Sequence, residues 1–98
     1  MERSTVIAKL REYEPELNAA GIMRLSLFGS VARGDASSES DVDLMAEFDP
    51  AKQLSLLDVI GLDNRFTDIL GVRVELTSAR ALQARIRERV TREAVLAF

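Results

Sequence analysis

Leu27-Phe28-Gly29-Ser30-Val31-Ala32-Arg33-Gly34-Asp35-Ala36-Ser37-Ser38-Glu39-Ser40-Asp41-Val42-Asp43-Leu44 is the stretch whose reading decides the fold. An apolar run stops at a Gly-Ser pair, a polar loop follows, and a second run alternates apolar side chains with aspartates. Successive side chains of a strand leave opposite faces, so Asp41 and Asp43 share one face while Val42 and Leu44 enter the core. The arrangement predicts a phosphate cradle followed by a metal site. Gly29 lets phosphate approach the backbone and Ser30 offers a hydroxyl. A helical turn starting there would aim free amides and a favourable dipole at an anion. Arg33, about one turn on, is placed to add a charge-assisted hydrogen bond.

Working outward towards the N-terminus, Ile22 to Phe28 reads as a strand, with Met23, Leu25 and Leu27 on one face and Arg24, Ser26 and Phe28 on the other. Before it, Val6, Ile7, Leu10, Tyr13 and Leu17 keep helical spacing over residues 2–19, with Ser4 or Thr5 as candidate caps. Pro15 predicts a break near Tyr13-Glu14, and Gly21 closes the segment.

On the other side, Asp41 to Phe48 reads as a strand with Val42, Leu44, Ala46 and Phe48 inward, and Asp49-Pro50 as a turn. Ser55 to Leu70 returns to helical spacing through Leu56, Val59, Ile60, Phe66, Ile69 and Leu70, with Gly71 as its C-cap. Leu57 and Leu62 are left over and suggest a second apolar face against another chain. Val72, Val74 and Leu76 then alternate as a third strand. Ser78 can cap a last helix from Ala79 towards Phe98, striped by Leu82, Ile86, Val90, Ala94 and Phe98. If the third strand lies beside the second with apolar faces aligned, Glu75 joins Asp41 and Asp43.

Three carboxylates on one open face repel unless a cation sits among them. The chain has no cysteine and no histidine, so any metal is held by oxygen. Mg²⁺ fits that chemistry, taking one or two carboxylates plus phosphate oxygens. Two such ions about 3.5–4 Å apart support an in-line displacement at phosphorus. Phosphate at one end and metals at the other describe a nucleoside triphosphate site.

At 98 residues the expectation is a single domain spanning 1–98, of α/β (α+β) class, with a small mixed sheet of about three strands and helices packed on one face. A net charge of −3 and only five aromatic residues argue against broad or sequence-specific nucleic-acid binding. No segment reaches the roughly 18 to 20 apolar residues of a membrane span. The Met-Glu-Arg start lacks a signal peptide's apolar run, so the expected location is cytoplasmic. Arg80, Arg85, Arg87, Arg89 and Arg92 form either a solvated helix face or a basic edge that steers a partner.

Gly29-Ser30, Ala32-Arg33-Gly34, Ser40-Asp41-Val42-Asp43-Leu44 and Val72-Arg73-Val74-Glu75-Leu76 together closely resemble the minimal nucleotidyltransferases (MNT) of the polymerase-beta-like superfamily. Arg92-Glu93-Ala94-Val95 is similar to the way these short proteins end, and the resemblance covers nearly the whole chain. It implies that Gly29 and Ser30 hold the triphosphate, with Arg33 and Ser40 as further nucleotide-binding candidates. It also implies that Asp41 and Asp43 bind two Mg²⁺ and that Glu75 stands where relatives usually carry an aspartate on the catalytic metal. Relatives of this size are often antitoxins paired with a helical HEPN-type ribonuclease toxin. Some transfer AMP from ATP to a hydroxyl of that toxin within a hetero-oligomer. The resemblance therefore implies an ATP-dependent protein adenylyltransferase with catalytic Asp41, Asp43 and Glu75. The extra methylene of Glu75 supports the alternative of a weak or inactive antitoxin that neutralises by occlusion, because misplacement by about 1 Å can lower a rate about 10²-fold.

Overall fold

Pro15 divides the N-terminal amphipathic segment as its chemistry requires. In the computed structural model, which describes residues 2–34, 41–78, 88 and 92–98, helix α1 runs Arg3–Glu12 and α2 runs Glu14–Ala19. Tyr13 is the joint, and Pro15 falls in the first turn of α2, where a missing N–H removes no helical bond. Because α1 is capped by Glu2, Ser4 and Thr5 lie inside its first turn rather than capping it. The buried side chains of these helices are Val6, Leu10 and Leu17.

Strand β1, Ile22–Phe28, has the expected bounds but not the expected alternation. A bulge between Ile22 and Arg24 opposes three β1 residues to Phe48 and Glu47 of strand β2, Val42–Phe48. The extra residue shifts the phase, so Ile22, Leu25 and Leu27 are all buried while Met23, expected inside, is 61% exposed. A five-residue helix, α3 (Gly29–Arg33), follows β1, and a 3₁₀ turn at Pro50–Lys52 follows β2.

Helix α4, Leu56–Leu70, carries β2 across to strand β3, Val74–Ser78, and the two strands run parallel. Parallel neighbours need such a crossover, whereas β1 and β2 pair antiparallel. The capping box at the start of α4 is complete: the Asp58 N–H donates to Ser55 Oγ at 3.2 Å and the Ser55 N–H donates to Asp58 Oδ2 at 2.9 Å. Its buried residues are Leu62, Phe66, Ile69 and Leu70. Phe66 is fully buried and sets the phase, with Leu62 four residues before it and Ile69 and Leu70 three and four after. Leu62 therefore belongs to the core, not to a second face. Leu56 and Ile60, expected inside, are exposed together with Leu57.

The sheet has a fourth strand and the order β3-β2-β1-β4. Most of the expected last helix, residues 79–87 and 89–91, lies outside the described residues, but its expected end is not helical. Val95–Leu96 forms β4, antiparallel to β1, and the Ala97 N–H donates to the Leu25 carbonyl at 2.8 Å. β1 would otherwise end the sheet with unpaired backbone groups, and the apolar Val95-Leu96-Ala97-Phe98 satisfies them. The core then lies between the helices and one sheet face, with Leu25, Leu27, Val42, Leu44, Ala46 and Val74 against Val6, Leu10, Leu17, Leu62 and Phe66. Arg65 of α4 donates two hydrogen bonds to Glu16 of α2, at 2.9 and 3.0 Å, and lies over the Tyr13 ring. Among the described residues no helix is long and apolar enough to cross a membrane.

Because Ser55 supplies the N-cap hydroxyl of the capping box, Ser55→Ala should lower unfolding stability by about 1 kcal/mol in denaturant titration. An unchanged midpoint would refute that role.

Candidate functional site

At the end of β1 the chain must turn sharply beside β2, and only glycine fits. Gly29 has φ 75°, and a Cβ built on it would overlap Oδ2 of Asp43. The Gly29 backbone therefore lies directly against the Asp43 carboxyl. Buried Val31 and Ala32 fasten α3 to the core, which leaves Ser30 half-buried and Arg33 exposed at the opposite side of the same short helix. Gly34, at φ 80°, ends α3. Arg33 Nη1 meets Glu93 Oε2 at 3.6 Å. Ser40 lies outside the described residues, as does the rest of 35–40.

The expected convergence of acids is met at two of three positions. Parallel pairing of β2 and β3 sets Val42 opposite Val74 and Leu44 opposite Leu76, so Asp43 stands in register with Glu75 on the face away from the core. Across β1, Asp43 pairs with Phe28. Asp41 precedes β2 and has the parity of Asp43, but its Oδ2 lies 3.9 Å from Arg73 Nε in an exposed contact. Among the described residues no group of three acids is closely enough gathered to enclose a cation. An exposed pair of that length contributes little, so it does not fix the Asp41 side chain. Neither Arg73 nor Glu93 was among the expected site residues. Arg73 carried a signal nonetheless, because it precedes Glu75 by two and so shares its side of the strand.

Burial first, then the neighbouring Glu75, raises the Asp43 carboxyl above its ordinary value. Asp41 adds to the rise and Arg33 opposes it. Asp43 and Glu75 thus press two like charges together on the open face. A cation between them would relieve that repulsion, and the oxygen-only donors match a hard ion such as Mg²⁺.

A carboxyl raised in the folded state stabilises most below its unfolded value of 3.8 and loses that contribution as pH rises through the folded value. Asp43→Asn mimics the protonated form. Without divalent ions it should melt higher than the native chain at pH 7, with the gap closing as pH falls towards 3.8. A lower melting temperature at pH 7 would contradict the like-charge burden. Gly29→Ala should lose about 1–3 kcal/mol of stability, since the left-handed conformation and the Asp43 carboxyl both oppose a Cβ.

The chain can now be set beside known proteins. The nucleotidyltransferase domain family matches residues 7–96. The protein adenylyltransferase MntA of Thermococcus cleftensis is 37% identical over 75 residues, covering 76% of this chain and 74% of the relative. A solved structure described provisionally as a minimal nucleotidyltransferase superposes with a TM-score of 0.83 at 39% identity, over 97% of this chain and 95% of that one. A chain from the complex of tri-AMPylated Shewanella oneidensis HEPN toxin with MNT antitoxin shares the fold, with a TM-score of 0.69 at 16% identity over 98% of this chain and 71% of that one. The sheet order, the glycine wedged against Asp43 and the match across residues 7–96 lead to one conclusion: this chain belongs to the nucleotidyltransferase domain family, in its minimal form.

Proposed function

We propose that this chain transfers AMP from ATP to a hydroxyl of a partner protein, and that the partner is a HEPN-type toxin which the transfer neutralises in the cytoplasm. One observation carries the reading: the Gly29 backbone touches the carboxyl of Asp43, which stands in register with Glu75. A phosphate held at Gly29 and Ser30 would then lie beside the acids that hold a metal. The MntA name of the Thermococcus relative and the AMPylated toxin in the Shewanella complex support the acceptor class.

In this reading Gly29 and Ser30 seat the triphosphate, while Arg33 and Ser40 flank it. Asp41 and Asp43 would hold two Mg²⁺ and Glu75 the catalytic one, which requires the Asp41 side chain to leave Arg73. When bound, Mg²⁺ polarises the α-phosphate and neutralises the departing pyrophosphate. The acceptor oxygen bonds to the α-phosphorus as the bond from that phosphorus to the pyrophosphate oxygen breaks. Either Glu75 or the charge of the bound metals would lower the barrier to removing the hydroxyl proton. Arg33 must exchange Glu93 for phosphate, a favourable trade for a guanidinium.

A second reading rests on Glu75 itself. Its side chain is one methylene longer than an aspartate's, which moves the carboxylate outward and favours a weak enzyme that silences the toxin by covering it.

Incubation with ATP labelled at the α-phosphate, Mg²⁺ and the protein encoded by the neighbouring gene should label that protein. Asp41→Ala combined with Asp43→Ala should abolish the label, and persistent labelling would sink the assignment of these acids. If the double variant still neutralises the toxin, occlusion is the mode; if neutralisation vanishes while the complex survives, transfer is.

A further inference from the structure

The first two turns of α4 carry an apolar ridge that the fold does not use. Leu57 is 79% exposed, Leu56 76% and Ile60 46%. At about 100° per residue, Leu57 points away from Phe66 and shares its side of the helix with Ile60, Gly61 and Asn64. That is the spacing of a helix-packing seam.

Gly61 adds an independent observation. A glycine in mid-helix lowers stability, yet nothing among the described residues calls for one here: its φ lies outside the left-handed range, and a Cβ would meet no described atom within 4 Å. A gap in the side-chain layer between Leu57 and Ile60 lets another backbone approach closely.

Charge selects what approaches. Asp58 and Asp63 flank the ridge on opposite sides, and Asp68 continues it. Asp63 Oδ1 is buried without a hydrogen-bond partner. The single cation of α4, Arg65, is committed to Glu16. A second copy of this chain docked symmetrically would set these carboxylates against their own kind. A helix with an apolar stripe edged by lysine or arginine matches both features.

We propose that the Leu57–Ile60–Gly61 ridge docks an amphipathic, basic-edged helix of the HEPN-type partner, a surface distinct from the acids at Asp43 and Glu75. The inference rests on the partner class proposed above. The ridge belongs to the helix between β2 and β3, so a partner held there is anchored to the element that sets the register of the acids.

Isothermal titration of the chain with a purified HEPN-type protein, the product of the neighbouring gene where that is one, tests the proposal. Leu57→Lys with Ile60→Lys should weaken binding about 30-fold or more, as expected for central apolar anchors, with an unchanged melting temperature. Gly61→Leu should raise the melting temperature yet weaken binding, a combination that no folding defect produces. Native affinity should fall with added salt. If the native chain binds and both variants bind equally well, the docking surface is overturned while the partner class stands. If the native chain does not bind at all, partner class and docking surface fall together. If light scattering shows the native chain dimeric and the Lys variant monomeric, the occupant is a second copy and the proposal is wrong.

Discussion

The parallel pairing of β2 with β3 is the constraint on which the rest depends. Val42 against Val74 and Leu44 against Leu76 bury apolar side chains on one face. With a period of two, the residues between them can only meet on the other. Asp43 and Glu75 are thus forced together by the hydrophobic effect acting on their neighbours, and the repulsion is tolerated because the core outweighs it. α4 makes the parallel pairing possible, and Phe66 with its helical neighbours holds α4 on the sheet. Stability and site geometry are therefore one problem in this molecule. A slip of one residue in β3 would expose Val74 and turn Glu75 inward at the same time.

The acids are joined to the phosphate side of the site by a contact without adaptable parts. Gly29 has no side chain to yield, and α3 is pinned by Val31 and Ala32. Arg33 and Asp41, by contrast, stand at exposed positions in loose ion pairs with Glu93 and Arg73. The site thus has a rigid centre made of backbone and strand residues, and an adjustable rim of long or exposed side chains. That division suits a centre that must place charge closely and a rim that must admit and release a nucleotide.

Much of this was legible in the residues. Pro15 marked the break between α1 and α2, Ser55 and Gly71 marked the ends of α4, and alternation gave Asp43 and Glu75 the same facing, which the pairing of β2 with β3 turned into adjacency. What failed to show had physical causes. Leu56, Leu57, Val59, Ile60 and Leu62 point round most of the helix, so only the tertiary choice of Phe66 as anchor reveals that Leu62 goes in and Leu57 stays out. Val95 to Phe98 is a short apolar run that fits a strand as well as a helix end, and the open edge of β1 decided between them. The contacts of Arg73 with Asp41 and of Arg33 with Glu93 link separate segments, beyond the reach of local pattern.

The bulge at Met23 has a meaning beyond one misplaced methionine. Ile22 and Leu25 are three residues apart and both buried, which a regular strand forbids. The extra residue acts as a phase adjuster between two separately fixed regions. Upstream, the Asp49 N–H is tied to the Gly21 carbonyl at 2.8 Å; downstream, Leu27 faces Leu44 in the core. The one residue of slack at Met23 lets the tie at Gly21 and the register that begins at Leu25 both be satisfied. The four residues from Leu25 to Phe28 have no such slack, because they deliver the chain to Gly29 and its carboxylate neighbour.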